Sequence, residues 1–136
     1  MTTQAFSVPI VLEIGVNKKK NYYLNLNKYK QWHFQESNNI KRTFKLETIE
    51  CMRELQKVTK PCKMTYTIYY STKRAFDLDN IGSIVAKFTQ DALVELEILE
   101  DDDYHHIVEV QFLYGGVDKD NPRCDIVIEE IDDEQE

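Results

Sequence analysis

Two carboxylates one residue apart, Asp77 and Asp79 in the stretch FDLDN, stand between a run that alternates apolar and polar residues and a run with helical spacing. In extended backbone alternate side chains share a face, so this DxD step is expected to aim both carboxylates the same way. Like charges this close repel, and paired oxygen donors suit a hard cation such as Mg²⁺. A second acidic run, EDDDY at 100–104, precedes another alternating stretch. If the strands beside these motifs are neighbours, that cluster comes beside Asp77 and Asp79, and three carboxylates converge on one or two ions. Such ions neutralise charge on a phosphodiester and activate water against it. The alternative is that Asp79 or Asn80 simply caps the following helix. A calcium loop counted from Asp77 fails, because Ile81 and Phe88 occupy its fifth and twelfth positions. His105 and His106 have no partner at zinc-ligand spacing and read as strand residues, one exposed and one buried.

The elements that must hold these groups follow from periodicity. AFSVPIVLEI, 5–14, alternates as a strand, with Pro9 pointing to a sheet edge. The polar, basic and aromatic stretch 17–34 reads as a long loop with short structured pieces. Asn38 or Asn39 is expected to cap a helix running to about Val58, with Ile40, Phe44, Cys51, Met52 and Leu55 inward. KMTYTIYY is a second strand. Ile81, Ile84, Val85, Phe88 and Ala92 define a second helix, whose polar stripe carries Asn80, Ser83, Lys87 and Asp91. Lys87 either steadies charge at a phosphate or pairs with Asp91 one turn on. HHIVEVQFLY and RCDIVIEE are third and fourth strands, joined by GGVDKDNP as a hairpin. The order β-α-β-α-β-β predicts a small α+β domain, residues 1–128, with two helices packed on one face of a mixed sheet. Residues 129–136, EEIDDEQE, form an acidic tail.

Charge divides the chain. Residues 1–74 hold 14 Lys and Arg against 5 Asp and Glu, whereas residues 75–136 hold 3 against 19. The basic half can meet a polyanion, or the halves can neutralise each other in the fold. Lys18, Lys19, Lys20, Lys28, Lys30, Lys73 and Arg74 are the candidate phosphate contacts. Tyr22, Tyr23, Tyr29 and Trp32 interleave with several of them, to stack on bases or to pack on the core. Cys51, Cys62 and Cys124 are odd in number and lack CxxC spacing, which suggests reduced thiols and a cytoplasmic setting. No apolar run reaches the roughly 18 residues of a membrane span, and the N-terminus lacks signal-peptide features.

Taken together, KRAFDLDN, Lys87, DAL at 91–93 and EDDD before a strand resemble the RusA family of Holliday junction resolvases of phages and prophages. The resemblance covers about residues 73–130, including the closing RCDIVIEE, and the combination is more specific than any part. It implies a homodimeric, Mg²⁺-dependent endonuclease, with Mn²⁺ able to substitute, that resolves four-way DNA junctions by paired nicks in recombination and repair. It places such a protein in the cytoplasm of a bacterial host cell. Asp77 and Asp79 match the family's DxD, and Asp102 its third aspartate when counted from DAL. Counting from Ile98-Leu99 selects Asp101 instead. Lys87 matches the family lysine in its distance from DAL, but stands about four residues farther from the DxD, where the family pattern falls on Ser83. A helix that begins late, with Gly82 in an irregular lead-in, would restore the match. Asn80 joins the expected DNA contacts. Two other classes remain open: a nuclease for flaps or forks, and a DNA-binding protein without catalysis.

Overall fold

The computed structural model describes residues 2–131. Nine elements follow one another: β1 (Thr3–Pro9), β2 (Val11–Ile14), β3 (Lys20–Tyr23), α1 (Leu26–Gln31), α2 (Phe34–Arg53), β4 (Cys62–Tyr70), α3 (Leu78–Glu95), β5 (Ile107–Val117) and β6 (Arg123–Glu130). The fold is α+β, with a four-stranded mixed sheet in the order β1-β6-β4-β5 and a separate β2-β3 hairpin. Strands β1, β6 and β4 run antiparallel to their neighbours, whereas β4 and β5 are parallel. A parallel pair requires a crossover, and α3 supplies it.

Alternation decides which face of the sheet is covered. Cys62, Met64, Tyr66 and Ile68 of β4 and Cys124, Ile126 and Ile128 of β6 are buried on one face. Against them α2 sets Ile40, Phe44 and Met52, and α3 sets Ile84, Val85, Phe88 and Leu93. Phe44 and Phe88 meet edge to face at the helix crossing (centroids 5.7 Å apart). The opposite face is polar, with Lys63 paired to Glu109 (3.0 Å) and Arg123 to Asp118 and Asp125 (2.7 and 3.0 Å).

Several boundaries differ from expectation. The first strand breaks at Ile10, so that Pro9 ends the edge strand β1 and Val11 starts the hairpin. The basic stretch contributes β3 and the short third helix α1, capped by the Asn25 carboxamide, which accepts the Lys28 N–H (2.8 Å). Helix α2 begins at Phe34 and ends at Arg53. Neither Asn38 nor Asn39 caps it, because both lie within the helix on its exposed side. The GGVDKDNP segment does not join a hairpin: β4 lies between β5 and β6. Its two glycines belong to β5, and Asp118 and Arg123 brace the turn.

Glu129 and Glu130, expected in a solvated tail, are the last residues of β6. The buried Glu130 carboxylate accepts hydrogen bonds from the backbone N–H groups of Thr59 and Lys60 (both 3.1 Å), which explains its place inside. Residues 132–136 lie outside the described residues. Among those described, no helix is long and apolar enough to cross a membrane. Cys62 and Cys124 are buried and Cys51 half-buried, all unbridged. Burial pushes the Cys62 and Cys124 thiols up to about 11 and about 12, so both are unreactive packing groups.

Candidate functional site: a basic cleft at one end of the crossover helix

The chain leaves β4 at Tyr70, loops through STKRAF and enters α3 at Leu78. Asp77, and not Asp79 or Asn80, is the N-cap; its backbone is extended, and its side chain makes no capping hydrogen bond. Its carboxylate is therefore free for another task. Asp79 already lies inside the first turn of α3. The alternation that would align the two carboxylates stops at the cap, and two residues along a helix turn a side chain by about 200°. Accordingly Asp77 lines the cleft beneath this turn and Asp79 does not.

That cleft has a volume of about 840 Å³. Lys28 of α1 and Arg74 of the β4–α3 loop line it together with Asp77 and Asn80, and Tyr23, Tyr70 and Phe76 give it aromatic walls. Asn80 ties the two helices together, its carboxamide oxygen accepting the Asn27 N–H (3.3 Å). Phe76 is held by Tyr70 (4.8 Å) and Tyr114 (5.9 Å). One carboxylate beside two cations in a concave, partly aromatic wall is a setting for a phosphate-bearing ligand. Lys73 lies beside the cleft in a smaller hollow shared with Arg74, Phe76 and Tyr114.

The other sequence candidates are dispersed. Lys18 and Lys19 sit on the tip of the β2-β3 hairpin, and Lys20 opens β3. Lys30 is exposed in the last turn of α1 and does not reach the cleft. Tyr22, Tyr29 and Trp32 form an edge-to-face cluster that continues to Phe88, so they pack on the core. Tyr23, at 42% exposure, remains available to stack on a base. Lys87 is exposed about 12 Å along the helix from Asp79. No ion pair joins it to Asp91 among the described residues, so the expected one-turn pairing is absent. The late helix start that would bring Lys87 closer is also absent. Helix α3 runs unbroken through Gly82, whose missing side chain makes room for the Phe112 ring; a Cβ there would lie 2.6 Å from it.

Asp102 is at the far end. The DxD follows the end of β4, whereas EDDD precedes β5, and Cys62 pairs with Ile107 while Tyr70 pairs with Val117. In a parallel pair these are opposite ends of the sheet. Helix α3, whose 18 residues extend about 27 Å, spans between these two ends. The chain is turned after α3 by a left-handed Glu97 (φ 64°), with Ile98 N–H donating to Leu93 O (2.9 Å) and Glu97 N–H to Val94 O (3.0 Å). Burial, a hydrogen bond with Asp101 and the nearby Asp91 carboxylate raise the Asp102 pKa. Asp103 anchors the same loop, with His106 Nδ1 at 2.6 Å. Neighbouring strands therefore do not bring Asp102 to Asp77 and Asp79. Among the described residues no group of three or more His, Cys, Asp or Glu can hold a metal within one chain.

Sequence reasoning missed Asn25, Tyr70 and Phe76 as cleft residues. Only Asn25 carried a signal, as a cap before LNKYK. No family model matches the chain, and no curated protein matches it, so the likeness to the resolvases rests on the motif residues alone.

Proposed function

We propose that this protein is a divalent-metal-dependent endonuclease of branched DNA, acting as a homodimer on four-way junctions. The observation that carries the reading is the cleft in which Lys28 and Arg74 flank Asp77 at the entrance of α3. Cations there draw a phosphate towards a carboxylate that would otherwise repel it, and Tyr23 offers a face for an unpaired base. In this reading Lys87 contacts a flanking phosphate, because it lies two turns beyond the DxD.

A single chain does not fit the metal, and a second copy resolves the misfit. Strand β5 is an 11-residue edge strand whose outer hydrogen-bonding groups have no strand partner among the described residues. It exposes Val108, Val110, Leu113, Tyr114 and Val117 at 40–54%. Such an edge invites pairing with another chain. Antiparallel pairing of β5 with its own copy about a two-fold axis sets the start of one strand beside the end of the other. The start carries Asp102, and the end adjoins the partner's DxD. Each of two equivalent sites then draws Asp77 and Asp79 from one copy and Asp102 from the other. A cation held there would supply charge neutralisation on the phosphate and activation of water. Two such sites match the near two-fold symmetry of a four-way junction.

The test is a nicking assay on a labelled mobile four-way junction and a matched linear duplex, with and without Mg²⁺. Paired, Mg²⁺-dependent nicks in the junction alone are expected; equal cutting of the duplex contradicts the assignment. The separation of Asp102 from the DxD favours one second reading, a DNA-binding protein without catalysis. Junction binding without cuts across Mg²⁺ and Mn²⁺ would establish that reading instead.

A further inference from the structure

The β2-β3 hairpin is a separate device. Its root is fixed: Leu12 and Leu24 are fully buried, Leu24 N–H donates to Ile10 O (2.9 Å), and the Tyr22 hydroxyl donates to Glu36 of α2 (3.2 Å). Its tip is tight. Gly15 adopts φ +137°, and a Cβ there would lie 2.2 Å from the Lys18 carbonyl oxygen, so only glycine closes the turn. That turn presents Val16 at 92% exposure, the highest among the exposed large apolar residues. A single exposed apolar side chain on a flat surface needs no explanation, but this one stands at a tight hairpin tip and is followed by Lys18, Lys19 and Lys20. Lys20 lies over the Tyr22 ring (5.1 Å) and Lys19 reaches Glu13 (3.4 Å), while Lys18 has no ion pair among the described residues. An apolar wedge flanked by cations on a two-stranded ribbon has the chemistry that unstacks a base step from the minor groove.

We propose that this hairpin is a second DNA-binding site, which inserts Val16 into the minor groove of a duplex arm while Lys18 and Lys20 hold its phosphates. Its setting on a junction arm rests on the nuclease reading, but the wedge does not require cleavage. Strand β3 runs its four residues from the tip to Tyr23 in the cleft wall, so the tip stands about 13 Å from the cleft at a strand's rise of about 3.3 Å per residue. At 3.4 Å per base pair that is about four base pairs into the arm.

The test uses the full-length protein and a four-way junction with 2-aminopurine placed at successive steps of one arm, without divalent metal. A fluorescence rise is expected at a step about four base pairs from the centre. Val16→Ser should abolish that rise while leaving the thermal unfolding midpoint unchanged, since its side chain is 92% exposed. Lys18→Ala with Lys20→Ala should lower the slope of log K against log salt by about 2. Absence of a rise at every step, a rise that survives Val16→Ser, or an unchanged salt slope would each overturn the proposal. Nicking is read separately with Mg²⁺: a rise without nicking leaves the hairpin standing and removes the nuclease.

Discussion

The two ends of α3 bear carboxylates in opposite company. At its start Asp77 shares a cleft with Lys28 and Arg74. Beyond its end Asp102 sits with Asp101 and Asp91, which with burial raise its pKa. In the proposed reading a phosphate is received at the first end and not at the second. In that reading this separation leaves each end incomplete: the first has cations but too few carboxylates for a metal, and the second gathers the carboxylates of the DDD run. In the proposed dimer, pairing of β5 edges would join them.

The largest effects should fall on nicking. Asp77→Asn, Asp79→Asn and Asp102→Asn should each lower it on the order of 10²-fold or more, by analogy with the loss of other charge-stabilising groups. Thermal unfolding should stay unchanged, because all three side chains are exposed. Lys87→Ala should cost less than about threefold, consistent with loss of one flanking phosphate contact. A loss as large as that of the aspartates would mean that α3 is shorter or bent when DNA is bound.

The helix that holds the ends apart can be weakened or strengthened. Gly82→Ala drives a methyl into the Phe112 ring and should destabilise by about 1–3 kcal/mol in urea unfolding. Glu97→Gly relieves a left-handed backbone at the other end and should stabilise by about 1 kcal/mol. If neither moved the midpoint, the account of how α3 is seated would be wrong.

The smallest effect is titration at the acidic end. The hydrogen bond to Asp103 raises the His106 pKa above its ordinary 6.5, and the same contact lowers that of Asp103 below 3.8. The His106 contribution to stability is therefore complete below pH 6.5 and fades as pH rises through its higher folded value. The Asp103 contribution is complete above pH 3.8 and fades as pH falls through its lower one. An NMR titration of the His106 ring should show a midpoint above 6.5 that falls in Asp103→Asn. An unshifted midpoint would mean that this loop is not held as described.

Local pattern in the sequence carried most of the elements. The alternation of Met64, Tyr66 and Ile68 and the helical spacing from Ile81 to Ala92 correspond to β4 and α3. Pro9 does lie on an edge strand. What failed was non-local. GGVDKDNP carries strong turn residues, yet turn residues do not name the strand that pairs, and β4 takes the place between β5 and β6. The strands that flank the two acidic motifs are neighbours, which was the condition for the motifs to meet. Their parallel direction, imposed by a single crossover helix, puts the motifs at opposite ends. Charge pointed to Lys28 and Arg74, but nothing local marks Tyr70 or Phe76 as their companions.

The measurement that bears most directly on the shared site is subunit mixing. Asp79→Asn and Asp102→Asn proteins, each inactive alone, are exchanged at equal amounts and tested on the four-way junction with Mg²⁺. If each site takes its DxD from one copy and Asp102 from the other, half of the dimers are mixed and each has one intact site of two. Nicking should return to about one quarter of the wild-type rate, as single nicks. A mixture that remains inactive while wild-type protein cuts would contradict the shared site.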